Sequence, residues 1–204
     1  MGTDIHGAIE CRPQFGLPMP RAWAYAMDLE LVYTTRDYDA FGCLFGVTNF
    51  AGFDPVAAGR GLPADVDPRT RDEAAGMIPA FFGMTWIGWD EIEAIDWDQP
   101  APRPDARLHE YRHDDAGAWR YAGKGATSES FAAQLARTAA PATDGTWPAG
   151  TEWLIGDRLY RSEVLCRKDA ISPGSDWHRV WAVMSALAGA HGADNVRLVV
   201  WFDK

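Results

Sequence analysis

The sequence predicts a single α+β domain: a mainly antiparallel sheet whose N- and C-terminal strands are neighbours, packed by a few helices and joined by long irregular loops. Three observations carry this reading. Residues 3–11 alternate in polarity as a strand does; residues 196–202 form an apolar run suited to the middle of a sheet; and 204 residues are enough for one sizeable core with little room for two. Residues 1–204 are therefore read as one domain.

In the first strand, Ile5, Gly7, Ile9 and Cys11 share one face, and Asp4, His6, Ala8 and Glu10 share the other, a half-buried pattern. The Pro- and Gly-rich stretch Arg12 to Arg21 turns the chain. Trp23, Tyr25, Met27, Leu29 and Leu31 then alternate as a returning strand. Asp37 caps a short helix whose Tyr38, Phe41, Leu44 and Phe45 recur at helical spacing. Asn49 to Gly76 reads as one long irregular region, and ordered loops of that length are often functional.

Between Trp86 and Ile95 a short helix is expected, with Trp89, Ile92 and Ile95 inward and Asp90, Glu91 and Glu93 on its solvated side. The Pro-rich run Gln99 to Asp105 is a connector, because the flanking segments are too small for separate cores. Leu108 to Tyr121 reads as a hairpin about Asp114-Asp115-Ala116-Gly117, Ser130 to Arg137 as a short helix, and Ala139 to Gly150 as a loop. Trp153 to Cys166 holds one or two strands. Ser175 or Asp176 caps a last helix through Trp177, Val180, Trp181, Met184 and Leu187, ending near Gly192.

Composition removes several function classes. Hydrophobic content of 47% with 24% charged residues belongs to a chain that folds alone. A formal charge of −10 repels phosphate backbones, which disfavours general nucleic-acid binding. Cys11, Cys43 and Cys166 form no CxxC pair, so reduced thiols are expected in place of a zinc ribbon or disulfide framework. With neither a signal-like start nor a membrane-length apolar run, a cytoplasmic location is expected. Ten Trp are more than a core this size needs, and some of them are candidates for a ligand pocket or partner surface.

Two strings invite a metal. His109-Glu110-Tyr111-Arg112-His113 matches the zincin string H-E-x-x-H, which requires a helix. Here it precedes a turn and a return strand, and on a strand the two histidines would stand about 13 Å apart, too far for one ion. Asp4 and His6 are better placed, because strand residues two apart project to the same side, about 6–7 Å apart at the backbone. An Asp oxygen and an imidazole nitrogen suit a divalent Zn, Mn or Fe. Asp203, at the end of the last strand, can supply a third ligand if that strand lies antiparallel to the first. Asp-x-His also opens the two-metal site of metallophosphoesterases, but none of that family's later strings follows, so the match is one of local geometry.

Glu10 is a candidate assisting carboxylate on the same face. Arg36 and Arg60 suit an anionic group. For Arg60 a second role is open, pinning its own loop through backbone carbonyls.

Met1-Gly2-Thr3-Asp4-Ile5-His6, Arg36-Asp37-Tyr38, Gly46-Val47-Thr48-Asn49, Arg60-Gly61-Leu62-Pro63-Ala64-Asp65 and Trp201-Phe202-Asp203 together resemble a group of bacterial and phage proteins that begin Met-Gly-(Cys/Thr)-Asp-Ile-His. The resemblance implies no activity. Members of that group often carry a second Asp-x-His before a Ser-Trp, where this chain has Ala80 and Phe82.

Three functional readings follow. The first is a metal-dependent enzyme, a hydrolase acting on a small anionic or nucleotide-like substrate, with Asp4, His6 and Asp203 on the ion and Glu10, Arg36 and Arg60 assisting. The second is a non-catalytic protein, of the phage or host-conflict type, that holds a small molecule or nucleotide in an aromatic pocket. The third is an acidic protein–protein module, weakened by the scatter of its acidic residues.

Overall fold

A computed structural model of the chain describes residues 2–14, 21–76, 81–137 and 146–204. Much of the turn expected within Arg12–Arg21 and of the loop expected within Ala139–Gly150 lies outside the described residues, as does Ala80.

The terminal strands meet as their patterns require. Strand β1 (Asp4–Cys11) runs antiparallel to β8 (Val196–Asp203), pairing Asp4 with Asp203 and Cys11 with Val196. On the other side β1 pairs with β2 (Ala24–Asp28), and β8 with β3 (Phe82–Gly88), giving the order β2-β1-β8-β3. One face carries Ile5, Ile9, Leu198, Val200 and Phe202. It packs on Phe41, Leu44 and Phe45 of α1 (Tyr38–Phe45) and on Trp177, Val180 and Met184 of α5 (Trp177–His191) in the main core. Each such side chain contributes about 1.5–3 kcal/mol on burial.

Local chemistry sets the helix ends. Asp37 accepts the Ala40 N–H at the start of α1, and Gly46 closes it at φ 74°, a left-handed conformation suited to glycine. At α5 the Ser175 hydroxyl accepts the Trp177 N–H, whereas Asp176 makes no capping bond with its side chain.

A second sheet, β5-β4-β7-β6, forms from the middle of the chain. Strands β4 (Leu108–His113) and β5 (Trp119–Gly125) are the expected hairpin, its turn held by Asp114, which accepts the N–H groups of Ala116 and Ala118. Strand β7 (Arg158–Arg161) joins β4, and β6 (Glu152–Ile155) joins β7. Helix α4 (Glu129–Leu135), capped by Ser128, packs a small core of Leu108, Leu135, Trp147 and Trp153.

Several elements differ from the sequence reading. Strand β2 stops at Asp28, whose carboxylate accepts the Glu30 N–H and turns Leu29–Leu31 into a 3-10 turn. The region 49–76 contains α2 (Pro68–Ala75), with Asp67 as cap and proline in its first turn. The expected Trp86–Ile95 helix is shortened to α3 (Trp89–Glu93), because Trp86 to Gly88 belong to β3. The polar face of β1 is buried beyond His6: Ala8 and Glu10 are both fully covered. Cys11 and Cys43 are buried free thiols, burial raising Cys43 to about 12, whereas Cys166 is partly exposed. No helix among the described residues is long and apolar enough to cross a membrane.

Candidate functional site

The β1–β8 pairing brings Asp4, His6, Trp201 and Asp203 together on the face opposite the main core, as the alternation of β1 anticipated. Arg36, just before α1, grips Asp4 with two bonds, Nε to Oδ1 at 2.5 Å and Nη2 to Oδ2 at 2.6 Å. Those bonds hold the Asp4 carboxyl below its ordinary range, and both side chains are well exposed. Asp4 and Arg36 thus occupy one another.

His6 stands between two other carboxylates. Its Nδ1 lies 2.8 Å from Glu30 Oε1, its Nε2 lies 3.5 Å from Asp203 Oδ2, and the Phe81 ring packs 5.4 Å away. Among the described residues, the buried atoms His6 Nε2, Asp203 Oδ1 and Trp201 Nε1 have no hydrogen-bond partner. Glu30 was not a candidate from sequence, since only the fold brings the 3-10 turn after β2 to His6. Asp4, His6 and Asp203 are neighbours, but no group of three or more His, Cys, Asp or Glu among the described residues is placed to hold a metal ion.

Toward the other end of the same face, Glu10 is fully buried and both of its oxygens are used. Oε2 accepts Arg197 Nε at 2.8 Å and Nη2 at 2.7 Å, and Oε1 accepts the Asp67 N–H at 3.0 Å. Arg197 also binds the Asp65 carboxylate at 2.8 Å, and that contact keeps Asp65 below the usual range. Arg60 holds Glu91 through two bonds of 2.7 Å and donates to the carbonyls of Val56 and Trp86, so it does pin its own loop. The same bonds lower Glu91. Glu91 is therefore tied to Arg60 and half-buried, whereas Asp90 and Glu93 are exposed as the solvated acidic side.

These guanidiniums alternate with indoles. Arg12 and Arg197 lie 4.8 and 3.9 Å from the Trp23 ring, and Arg60 and Arg197 lie 4.9 and 5.9 Å from Trp86. A cleft of about 670 Å³ opens beside this stack, but its aromatic faces are already engaged by the protein's own cations.

A different aromatic cavity, of about 380 Å³, lies between α3 and α5. Trp89, Ile92 and Glu93 face it from α3, because residues three and four apart share a helix face. Trp181 enters from α5, Trp97 from the segment after α3 and Ile171 from the segment before α5. Trp181 stacks on the buried Trp177 at 5.0 Å and stands 6.4 Å from Trp89 at an angle of 56°. Among the described residues, none of the chain's own cations lies over Trp89, Trp97 or Trp181. Lys168, on the rim, is held 2.7 Å from Asp98. Trp89 belongs to the main core and Trp181 packs against it, as their helical spacing predicts, and both also line this cavity.

The zincin-like string lies on β4, and its histidines part. His109 is buried, with Nε2 3.4 Å from Asp105 and Nδ1 3.3 Å from Glu163. His113 bonds the Gly117 carbonyl at 2.8 Å and packs on Trp119. Comparison of the chain with protein-family models, curated proteins and solved structures finds no match.

Proposed function

We propose that this protein binds a small molecule without transforming it, in the aromatic cavity between α3 and α5. The observation that carries the reading is a contrast. The polar groups suited to chemistry at Glu10, Arg60 and Asp4 are engaged by Arg197, Glu91 and Arg36, whereas three indoles around one cavity have, among the described residues, no cation over them. A concave, mostly aromatic site with a few polar groups at its rim is the usual form of a small-molecule site. Thermal-shift screening against metabolites, including nucleotides and organic cations, tests this. A true ligand at a hundred times its Kd adds about 2.7 kcal/mol, hence a shift of about 5 °C or more, and Trp97→Leu should abolish it. A flat response across a broad panel would refute the reading.

A second reading, a metal-dependent hydrolase for a small anionic substrate, has its own support in two buried atoms, His6 Nε2 and Asp203 Oδ1, that have no hydrogen-bond partner among the described residues. Glu30 on Nδ1 is the kind of carboxylate that orients a metal-binding imidazole. His6 Nε2 and Asp203 would hold a Zn, Mn or Fe ion, and Arg36, if released from Asp4, would meet the anion. Elemental analysis of untagged protein should then find about one metal per chain, lost in His6→Ala. Sub-stoichiometric metal together with unchanged stability in chelator would sink it.

A further inference from the structure

We infer that the cavity between α3 and α5 recognises a quaternary ammonium group on a small organic cation. The inference rests on the binding reading above and names the ligand's chemistry. Trp89, nearly buried at 9% exposure, and Trp181, one face of which stacks on Trp177, meet at 56° with their centroids 6.4 Å apart on one side of the cavity, and Trp97 adds a third indole to the lining. Indole faces carry the negative end of the ring quadrupole, and several of them around one space favour a weakly hydrated cation over a neutral group of the same shape.

Three further observations separate a cation from a plain apolar ligand. Glu93 belongs to the lining, and among the described residues no salt bridge engages its carboxylate. Lys168, also in the lining, is paired with Asp98 at 2.7 Å, which partly offsets its charge. Two other indoles, Trp23 and Trp86, are already covered by Arg12, Arg60 and Arg197 and are closed to a ligand cation. The formal charge of −10 adds a long-range attraction for a cationic ligand. His178, also in the lining, has its Nε2 3.3 Å from the Ser172 carbonyl.

Isothermal titration with choline and with its neutral isostere 3,3-dimethylbutan-1-ol gives the test. Choline should bind at least tenfold more tightly than the isostere. Glu93→Gln should weaken choline severalfold and leave the isostere unchanged. Trp97→Leu should abolish choline binding, and Trp97→Phe, which keeps an aromatic ring and its packing, should retain it with a severalfold loss. A peptide carrying trimethyllysine forms a third arm: binding tighter than choline supports the same chemistry and assigns its source to a protein chain. Equal affinity for choline and the isostere overturns the proposal. If neither binds but another compound does so in a Trp97-dependent manner, the ammonium assignment falls and the binding reading stands; if nothing binds, both fall.

Discussion

Glu10 shows how far a single residue's role depends on partners distant in sequence. A fully buried carboxylate is tolerated when its charge and lone pairs are matched, and Arg197 with the Asp67 N–H does this. Glu10→Gln would leave Arg197 buried with only Asp65, itself largely exposed, as counter-charge. The expected cost is about 3 kcal/mol in urea unfolding, and Glu10→Leu combined with Arg197→Leu should cost less than the sum of the single changes. A loss below about 1 kcal/mol for Glu10→Gln would contradict the pairing. Strand alternation correctly placed Glu10 on the face of Asp4 and His6. It could not show that this end of the face is roofed by residues 60–67, because that depends on Arg197 and Asp65, far away along the chain. His6 and Glu30 pose the same difficulty: the pair exists only once β2 has returned beside β1.

At the scale of elements, Gly7 sets how closely β1 and β8 approach. A Cβ there would overlap the Val199 carbonyl oxygen, a backbone atom that cannot swing aside. Gly7→Ala should therefore destabilise the protein by about 2 kcal/mol or more, with faster hydrogen exchange along β1 and β8; an unchanged midpoint would show that the strands relax freely. The elements that sequence made legible combine a strong period with a clear boundary: β1, β8, α1 behind Asp37, α5, and the hairpin around Asp114. Helix α2 was lost inside an apparent loop although its Asp67-Pro68 start was present, because Thr70 and Ala74 give its short amphipathic face little hydrophobic signal. Strand β3 was hidden differently. Phe82 to Gly88 run straight into α3, and an apolar run that short has no period to separate strand from helix. The aromatic cavity stayed unread for a related reason, since a tryptophan lining a cavity and one filling a core follow the same helical spacing.

Across the whole molecule, the two sheets have separate apolar cores, and what lies between them includes a small cluster of Cys43, Ala51, Phe53, Ala101, Leu165 and Ala170. Beside it is a polar bridge: Asp39 of α1 binds Arg107 and, at 2.5 Å, Lys124 of β5, while Arg107 also binds Asp105 at 2.7 Å. Burial alone would raise Asp105, but hydrogen bonds from His109 and Arg107 outweigh it and hold the carboxyl well below its usual range. A carboxylate lowered in the folded state stabilises the fold above its unfolded pKa, and that contribution fades as pH falls from about 4 toward the folded value. Acid should therefore loosen the bridge before it disturbs the apolar core of the first sheet. Asp39→Asn should act similarly at neutral pH by leaving Arg107 and Lys124 short of negative charge, at a cost of about 3 kcal/mol borne by the second sheet. Hydrogen exchange should then show β4 and β5 opening at lower urea than β1 and β8, and the single unfolding transition should broaden or divide. Simultaneous loss of protection in both sheets would mean that the apolar cluster, and not the ionic bridge, makes them unfold as one.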